Sequence, residues 1–196
     1  MTKEYAPPIK ETADYAISVG PQHPTHKEPV RFIFQIKGET IQDVDLRIGF
    51  NHRGIEKALE NRTWLQNLYL TTRLCGICSV AHQLAYVYAA EKCFKIENDV
   101  PERAHYIRTI IAELERVQSH MLWYGVLAHD TGYDTLFHIT WRDREIVNDI
   151  LEMISGNRVN YAMYTLGGVR RDIAKDLKNK IVPMLKDLRK KCEYHR

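Results

Sequence analysis

The stretch Thr72-Arg73-Leu74-Cys75-Gly76-Ile77-Cys78-Ser79-Val80-Ala81-His82 joins a chelating cysteine pair to the start of a helix that continues through Leu84, Val87 and Ala90. Two thiolates separated by two residues can reach one metal centre, because that spacing brings both sulfurs to the same side of a turn or helix start. Gly76 removes a side chain between them and lets the backbone approach a bulky centre. The first turn of the following helix would present N–H groups and partial positive charge to anionic sulfur. His82, four residues after Cys78, falls on the same helical face, where its ring can donate to a metal-bound thiolate. Spacing alone leaves two other chemistries open. A structural zinc site needs two further ligands, which His82 or His26 would have to complete. A thioredoxin-like dithiol usually follows a βαβ pattern, and none leads into this motif. Cys93 reads as a small buried helix residue and Cys192 as a thiol with no partner motif.

Upstream of the motif the pattern changes period. Ala16-Ile17-Ser18-Val19 is a short apolar run. Val30 to Lys37 and Ile41 to Ile48 are alternating runs joined through Gly38, which predicts an antiparallel hairpin with Phe32, Phe34 and Ile36 on one face. From Gly54 onward Ala, Leu, Glu, Arg and Tyr recur at helical spacing and strand signals fade. A long helix is predicted after Pro101, with the stripe Ala104, Ile107, Ile111, Leu114, Val117 and Met121 and an end near Gly125. A second runs from about Thr135 to Ile154 and stops at Gly156. A third runs from about Asp172 to Lys191, where Pro183 should kink or split it. The expected fold class is α+β, mainly α: a small N-terminal antiparallel sheet over residues 1–53, packed on a helical bundle over 54–196. The basic stretch from Arg189 to Arg196 carries no stop signal, so the last helix is expected to be part of a longer helix or domain.

Charge is close to balanced, 28 basic against 25 acidic residues, which argues against a global field for nucleic acid or anionic lipid. Apolar runs such as Met121-Leu122-Trp123-Tyr124 fall far below the roughly 20 residues of a spanning helix, and the polar start Met1-Thr2-Lys3-Glu4 has no signal-peptide core. The expectation is a soluble intracellular chain whose membrane contact comes through other subunits. Trp123, Tyr124, Trp141, Tyr161 and Tyr164 are expected on helical core or interface faces. His23, His26 and His52 read first as loop histidines with backbone or water contacts. Arg170-Arg171-Asp172 reads as surface pairing or a cap for the third helix.

The string Arg73-Leu74-Cys75-Gly76-Ile77-Cys78 with His82 resembles the first cysteine motif of nickel-iron hydrogenase large subunits, R-x-C-G-x-C followed by a histidine. The likeness extends over nearly the whole chain. It takes in Gly20-Pro21-Gln22-His23-Pro24-Thr25-His26-Lys27-Glu28-Pro29, Asn51-His52-Arg53-Gly54-Ile55-Glu56-Lys57 and Glu113-Leu114-Glu115-Arg116 with Ser119-His120. It continues through Gly156-Asn157-Arg158 and Gly167-Gly168-Val169-Arg170-Arg171-Asp172. These segments resemble the membrane-bound, energy-converting branch of the family, whose large subunit is homologous to the 49 kDa-type quinone-site subunit of respiratory complex I.

The resemblance implies a hydrogenase large-subunit-like fold and a set of roles. Cys75 would be a terminal nickel ligand and Cys78 would bridge nickel to iron, with Arg73 and His82 lining the nickel-iron centre. Glu28 would relay protons, although on its own terms it reads as a surface loop carboxylate beside Pro29. His23 falls in a segment that lines the quinone head-group pocket in the complex I relatives. Family members complete the centre with a second cysteine pair of the D-P-C-x-x-C type, and this sequence has no such string. The implied function is part of the catalytic subunit of a hydrogenase that couples hydrogen conversion to low-potential electron transfer and ion pumping. A second polypeptide or further segment would supply the other C-x-x-C. The implied partners are a small iron-sulfur subunit carrying the clusters and membrane ion-translocating subunits, on the cytoplasmic side of the membrane. The rival readings are a complex-I-like or sulfur-reducing oxidoreductase subunit without nickel, and a scaffold that binds no metal.

Overall fold

The computed structural model describes residues 8–194; the polar start Met1-Thr2-Lys3-Glu4 and the terminal His195-Arg196 lie outside the described residues. The chain divides into two compact units, Met1–Gly54 and Ile55–Arg196. The first contains an antiparallel sheet of β1 (Tyr15–Val19), β2 (Arg31–Lys37) and β3 (Thr40–Arg47) in the order β1-β2-β3. The predicted hairpin is β2 and β3, and the run at Ala16 to Val19 adds a third strand on the other edge of β2. Phe32 and Phe34 share a face and stack with ring centroids 5.9 Å apart. The deeper burial falls on the opposite face, at Ile33 and Gln35. Gln35 is buried because the segment before β1 lies over it: its Oε1 accepts from Lys10 N and its Nε2 donates to the Pro8 carbonyl. Gly20 has φ +93°, and a Cβ there would lie 2.0 Å from the Val30 carbonyl oxygen, so the loop between β1 and β2 closes only on a glycine.

The second unit contains α1 (Ile55–Glu60), α2 (Trp64–Thr71), α3 (Ser79–Phe94), α4 (Glu102–Asp130), α5 (Asp134–Ser155) and α6 (Lys175–Tyr194). A two-residue hairpin, β4 (Tyr164–Thr165) with β5 (Gly168–Val169), interrupts the helices. It departs from the expectation that strands end at Gly54, since strands this short show no alternation to read. It also takes Tyr164 off any helix, and Tyr161 lies in the loop before it. The core forms where the stripe of α4, Ile107, Ile111, Leu114 and Met121, meets Val87 of α3 and Val147, Ile150, Leu151 and Ile154 of α5.

Three sequence expectations are corrected here. Gly125 does not end α4 but sits inside it, where a Cβ would lie 2.7 Å from Trp141 Cδ1, so the missing side chain makes room for an indole of α5. The helix stops instead at Gly132, with φ +82°: Gly132 N donates to the His129 carbonyl at 2.9 Å and Tyr133 N to the Ala128 carbonyl at 2.7 Å, closing the last turn on itself. Pro183 does not split α6, which runs through it; Ile181 and Leu188 bury one face of that helix on either side of the proline, and tertiary packing outweighs one lost backbone bond. Cys93 is exposed, because the buried line of α3 runs through Val80, Gln83, Val87, Ala90 and Glu91 and leaves it on the open side. Gly156 ends α5 as expected, with φ +81°. Asp172 lies outside α6 and pairs with Arg103 at 2.8 Å on the surface.

Arg108 of α4 and Glu91 of α3 form an ion pair in which each side chain is 1% exposed. The guanidinium donates to both carboxylate oxygens, at 3.0 and 2.6 Å, and also to the Thr165 and Gly168 carbonyls. Gly167 N donates to the same carboxylate at 2.9 Å. The pair therefore ties two helices to the β4–β5 turn. Burial pushes the Glu91 carboxyl up, but Arg108 and the Gly167 amide outweigh it and hold it below the ordinary value of 4.5. A carboxylate with a depressed folded-state pKa stabilises the fold above its unfolded pKa, and that stability is lost as pH falls through the folded value. We expect Arg108→Met to cost about 3–5 kcal/mol at neutral pH, because it strands a buried carboxylate. The stability gap between the native chain and Glu91→Gln should shrink as pH drops below about 4.5. Urea unfolding across a pH series measures both.

Candidate metal centre

The cysteine loop connects α2 to α3. α2 is opened by a capping box in which Thr63 accepts from Gln66 N and the Gln66 side chain accepts from Thr63 N. Cys78 is the residue just before α3 and offers no side-chain cap. Cys75 Sγ, Cys78 Sγ and a ring nitrogen of His82 all lie within 4.8 Å of one another. Among the described residues this is the group of histidine, cysteine and carboxylate side chains that meets at one point with metal-binding spacing. His82 reaches it as predicted, one turn into α3, with its backbone N donating to the Cys78 carbonyl at 3.3 Å.

Backbone N–H groups converge on Cys75: its Sγ accepts from Ile77 N and from Cys78 N, each at 3.3 Å. Burial pushes the Cys75 thiol up, yet the hydrogen bonds from the Cys78 thiol and from these amides outweigh it, and the group is held below its ordinary value. Cys78 goes the other way. Burial, the hydrogen bond to Cys75 and the nearby Glu115 carboxylate push it up to about 12. The proton of the pair is thus favoured on Cys78 over Cys75, which is how two groups that would carry like charge share a site.

The residues that hold this loop are on α4 and α5, and they were not singled out from the sequence. Glu115 is buried and takes over the capping that Cys78 does not provide. Its Oε1 accepts from Val80 N at 2.7 Å and from Ser79 Oγ at 3.0 Å, and its Oε2 accepts from Ala81 N at 3.1 Å. Burial raises its pKa, with those three donors opposing the shift. Gln118, 1% exposed, donates from Nε2 to the Ile77 carbonyl at 3.2 Å. Arg144 of α5 donates to Gln118 Oε1 from Nε at 2.9 Å and Nη2 at 2.6 Å. Glu115 appeared in the sequence only inside the string Glu113 to Arg116. The available signal was phase: Arg108, Glu115 and Gln118 fall three or four residues from Ile111 and Leu114, on the core stripe of α4, where an unpaired polar side chain would be costly.

The other expected site residues are not part of this group of three. Arg73 donates from Nη1 to the Tyr69 carbonyl at 2.8 Å and to Thr72 Oγ1 at 3.0 Å, at the end of α2. His23 and Glu28 belong to the N-terminal unit. There they line a cavity of about 390 Å³ between Pro21, Pro24 and Pro29, shared with His26 and Lys27. His23 Nδ1 is 2.9 Å from Thr25 Oγ1, and its ring is 5.4 Å from that of His26. Glu28 accepts from Asn51 Nδ2. Cys93 and Cys192 are free, exposed thiols outside the three-residue group.

Residues 53–186 match the family model described as nickel-dependent hydrogenase. Over 170 residues the chain is 52% identical to the membrane-bound hydrogenase subunit alpha of Pyrococcus furiosus, covering 87% of this chain and 39% of that protein. It is 39% identical to an F(420)H(2) dehydrogenase subunit of Methanosarcina mazei, over 92% of this chain and 48% of that one. Against an NADH-quinone oxidoreductase subunit of Geotalea uraniireducens the identity is 45%, over 84% of this chain and 42% of that one. Among solved structures, the membrane-bound sulfane sulfur reductase, an archaeal respiratory membrane complex, superposes with TM-score 0.78 at 31% identity, over 94% of this chain and 47% of that chain. The chain spans less than half the length of these relatives. No helix among the described residues is long and apolar enough to cross a membrane.

Replacing Glu115 with alanine should leave the first-turn amides of α3 without an acceptor inside the protein, at a cost of about 1–3 kcal/mol. Glu115→Gln, which keeps one acceptor oxygen, should recover part of it. Amide hydrogen exchange of residues 79–82 should accelerate in the order native, glutamine, alanine.

Proposed function

The chain belongs to the nickel-dependent hydrogenase family, and we propose that it supplies half of the cysteine ligands of a nickel-iron centre in the catalytic large subunit of a membrane-associated hydrogenase. The observation that carries this reading is the convergence of Cys75, Cys78 and His82 within 4.8 Å at the start of α3. The donor set fits nickel as a half-site. Both ligands are soft sulfurs, and the Cys78 thiol with the amides of Ile77 and Cys78 holds the Cys75 thiol below its ordinary value. Cys75 and Cys78 would both hold the nickel-iron group through their sulfurs. The other half comes from a C-x-x-C pair on a second polypeptide or further segment, since neither Cys93 nor Cys192 joins the group.

When bound, such a centre supplies the heterolytic cleavage or formation of hydrogen. The chain's own residues handle the proton and the surroundings. Cys75 Sγ would take up and give back the proton, the Ile77 and Cys78 amides would stabilise its anionic form, and His82 would donate toward the sulfur pair from the first turn of α3. Glu28 is the carboxylate assigned to proton relay, and Arg73 flanks the centre. Electrons pass to or from iron-sulfur clusters in a small partner subunit, and membrane subunits couple the reaction to ion movement at the cytoplasmic face.

The likeness to the NADH-quinone oxidoreductase subunit and to the sulfane sulfur reductase favours one second reading, an oxidoreductase component that uses the same fold without nickel. In that reading the His23 loop, with its own cavity, is the part that meets a quinone-like head group, and Cys75 and Cys78 keep only a structural role.

Metal analysis of the native assembly separates the two. Nickel in one-to-one ratio with this chain, lost together with hydrogen turnover in Cys78→Ser, is the expected result. An intact assembly that carries iron-sulfur clusters but no nickel, or one that turns over hydrogen without Cys78, overturns the nickel reading.

A further inference from the structure

The peptide unit between Ile77 and Cys78 is held at both ends. Its carbonyl accepts from Gln118 Nε2 at 3.2 Å, and its N–H, that of Cys78, donates to Cys75 Sγ at 3.3 Å. In a trans peptide the carbonyl and the N–H point in opposite directions, so fixing the carbonyl on α4 aims the N–H at the sulfur. Gln118 is in turn fixed. A primary amide offers either an acceptor or two donors to a neighbour, and it can reverse by a half-turn at little intrinsic cost. Arg144 removes that freedom, because its guanidinium has only donors and two of them meet Oε1, at 2.9 and 2.6 Å. The reversed amide would set donors against donors, so Nε2 is left facing Ile77.

We propose that Arg144 and Gln118 form a positioning relay that aims the Cys78 amide at Cys75 and so sets how strongly the Cys75 sulfur donates to whatever it binds. Gln118 touches neither sulfur in any hydrogen bond among the described residues; it acts through one peptide plane. The relay rests on the nickel reading only for the first of its two measurements. Hydrogen bonds to a ligating sulfur withdraw electron density and raise the potential of the centre. On an unligated Cys75 the same bond holds the Cys78 N–H out of exchange with water.

Two variants separate positioning from packing. Gln118→Met keeps the volume and removes the donor to Ile77. Gln118→Glu keeps the acceptor for Arg144, and with it the link between α4 and α5, but presents an oxygen where Ile77 needs a donor. Both are made in the native assembly. If the assembly holds nickel, redox titration of the nickel signal should give a more negative midpoint for Gln118→Met, with full subunit content and an unchanged melting temperature for Gln118→Glu. If it holds no nickel, the function proposed above fails while the relay stays testable. Amide hydrogen exchange of Cys78 should then quicken about tenfold in both variants. A midpoint, or an exchange rate of the Cys78 amide in the nickel-free case, that stays at the native value in both variants overturns the relay. A change that appears only together with loss of melting temperature in both variants assigns Gln118 to packing and overturns it equally.

Discussion

Polar side chains on the buried face of α4 hold the cysteine loop in place. Arg108, Glu115 and Gln118 occupy positions at which the helix otherwise presents Ile107, Ile111, Leu114 and Met121 to the core. Each would be costly there without partners. Each has several: Arg108 reaches Glu91 and the β4–β5 turn, Glu115 the first turn of α3, and Gln118 the Ile77 carbonyl and Arg144. Apolar packing brings α3, α4 and α5 together, and these hydrogen bonds then fix the register of α3 and the loop before it. Hydrophobic contact is nearly indifferent to a small slide of one helix on another. A carboxylate that must meet three donors at once is not.

The same division governs what sequence patterns revealed. The helical period made α4 and α5 legible, together with the glycine stop of α5, because periodicity reports which face is buried. The hairpin of β2 and β3 was legible for the same reason at period two. Gly125 misled because a glycine inside a helix and a glycine ending one look alike until the partner Trp141 is known. Pro183 does not split α6, because the packing of the helix on both sides of it is a property of the assembled bundle. Cys93 misled because the burial of one cysteine on α3 depends on which stripe meets α4, and α3 shows only a shallow apolar–polar contrast in sequence.

The candidate centre was half legible. Cys75, Cys78 and His82 could be placed together from local spacing, since four residues of helix fix their separation. The residues that support them, Glu115, Gln118 and Arg144, stand 37 to 66 positions downstream of Cys78, beyond the reach of any local rule. Only the phase of Glu115 and Gln118 on the α4 stripe marked them, and phase says that a polar residue is buried without saying what it holds. Glu28 and His23 were read from their motif, and their loop is shaped by Gly20 against Val30 and by the bond from Asn51 to Glu28.

The capping of α3 by Glu115 bears on descent. Loops that chelate metals often owe their shape to the metal and collapse without it. Here the bends of residues 77–81 are held by a carboxylate and an amide belonging to another helix, so the loop's shape has support that does not come from its sulfurs. A lineage can therefore shed the metal by changing single ligand positions, one substitution at a time, and still inherit an intact bundle on which a different redox chemistry can be built.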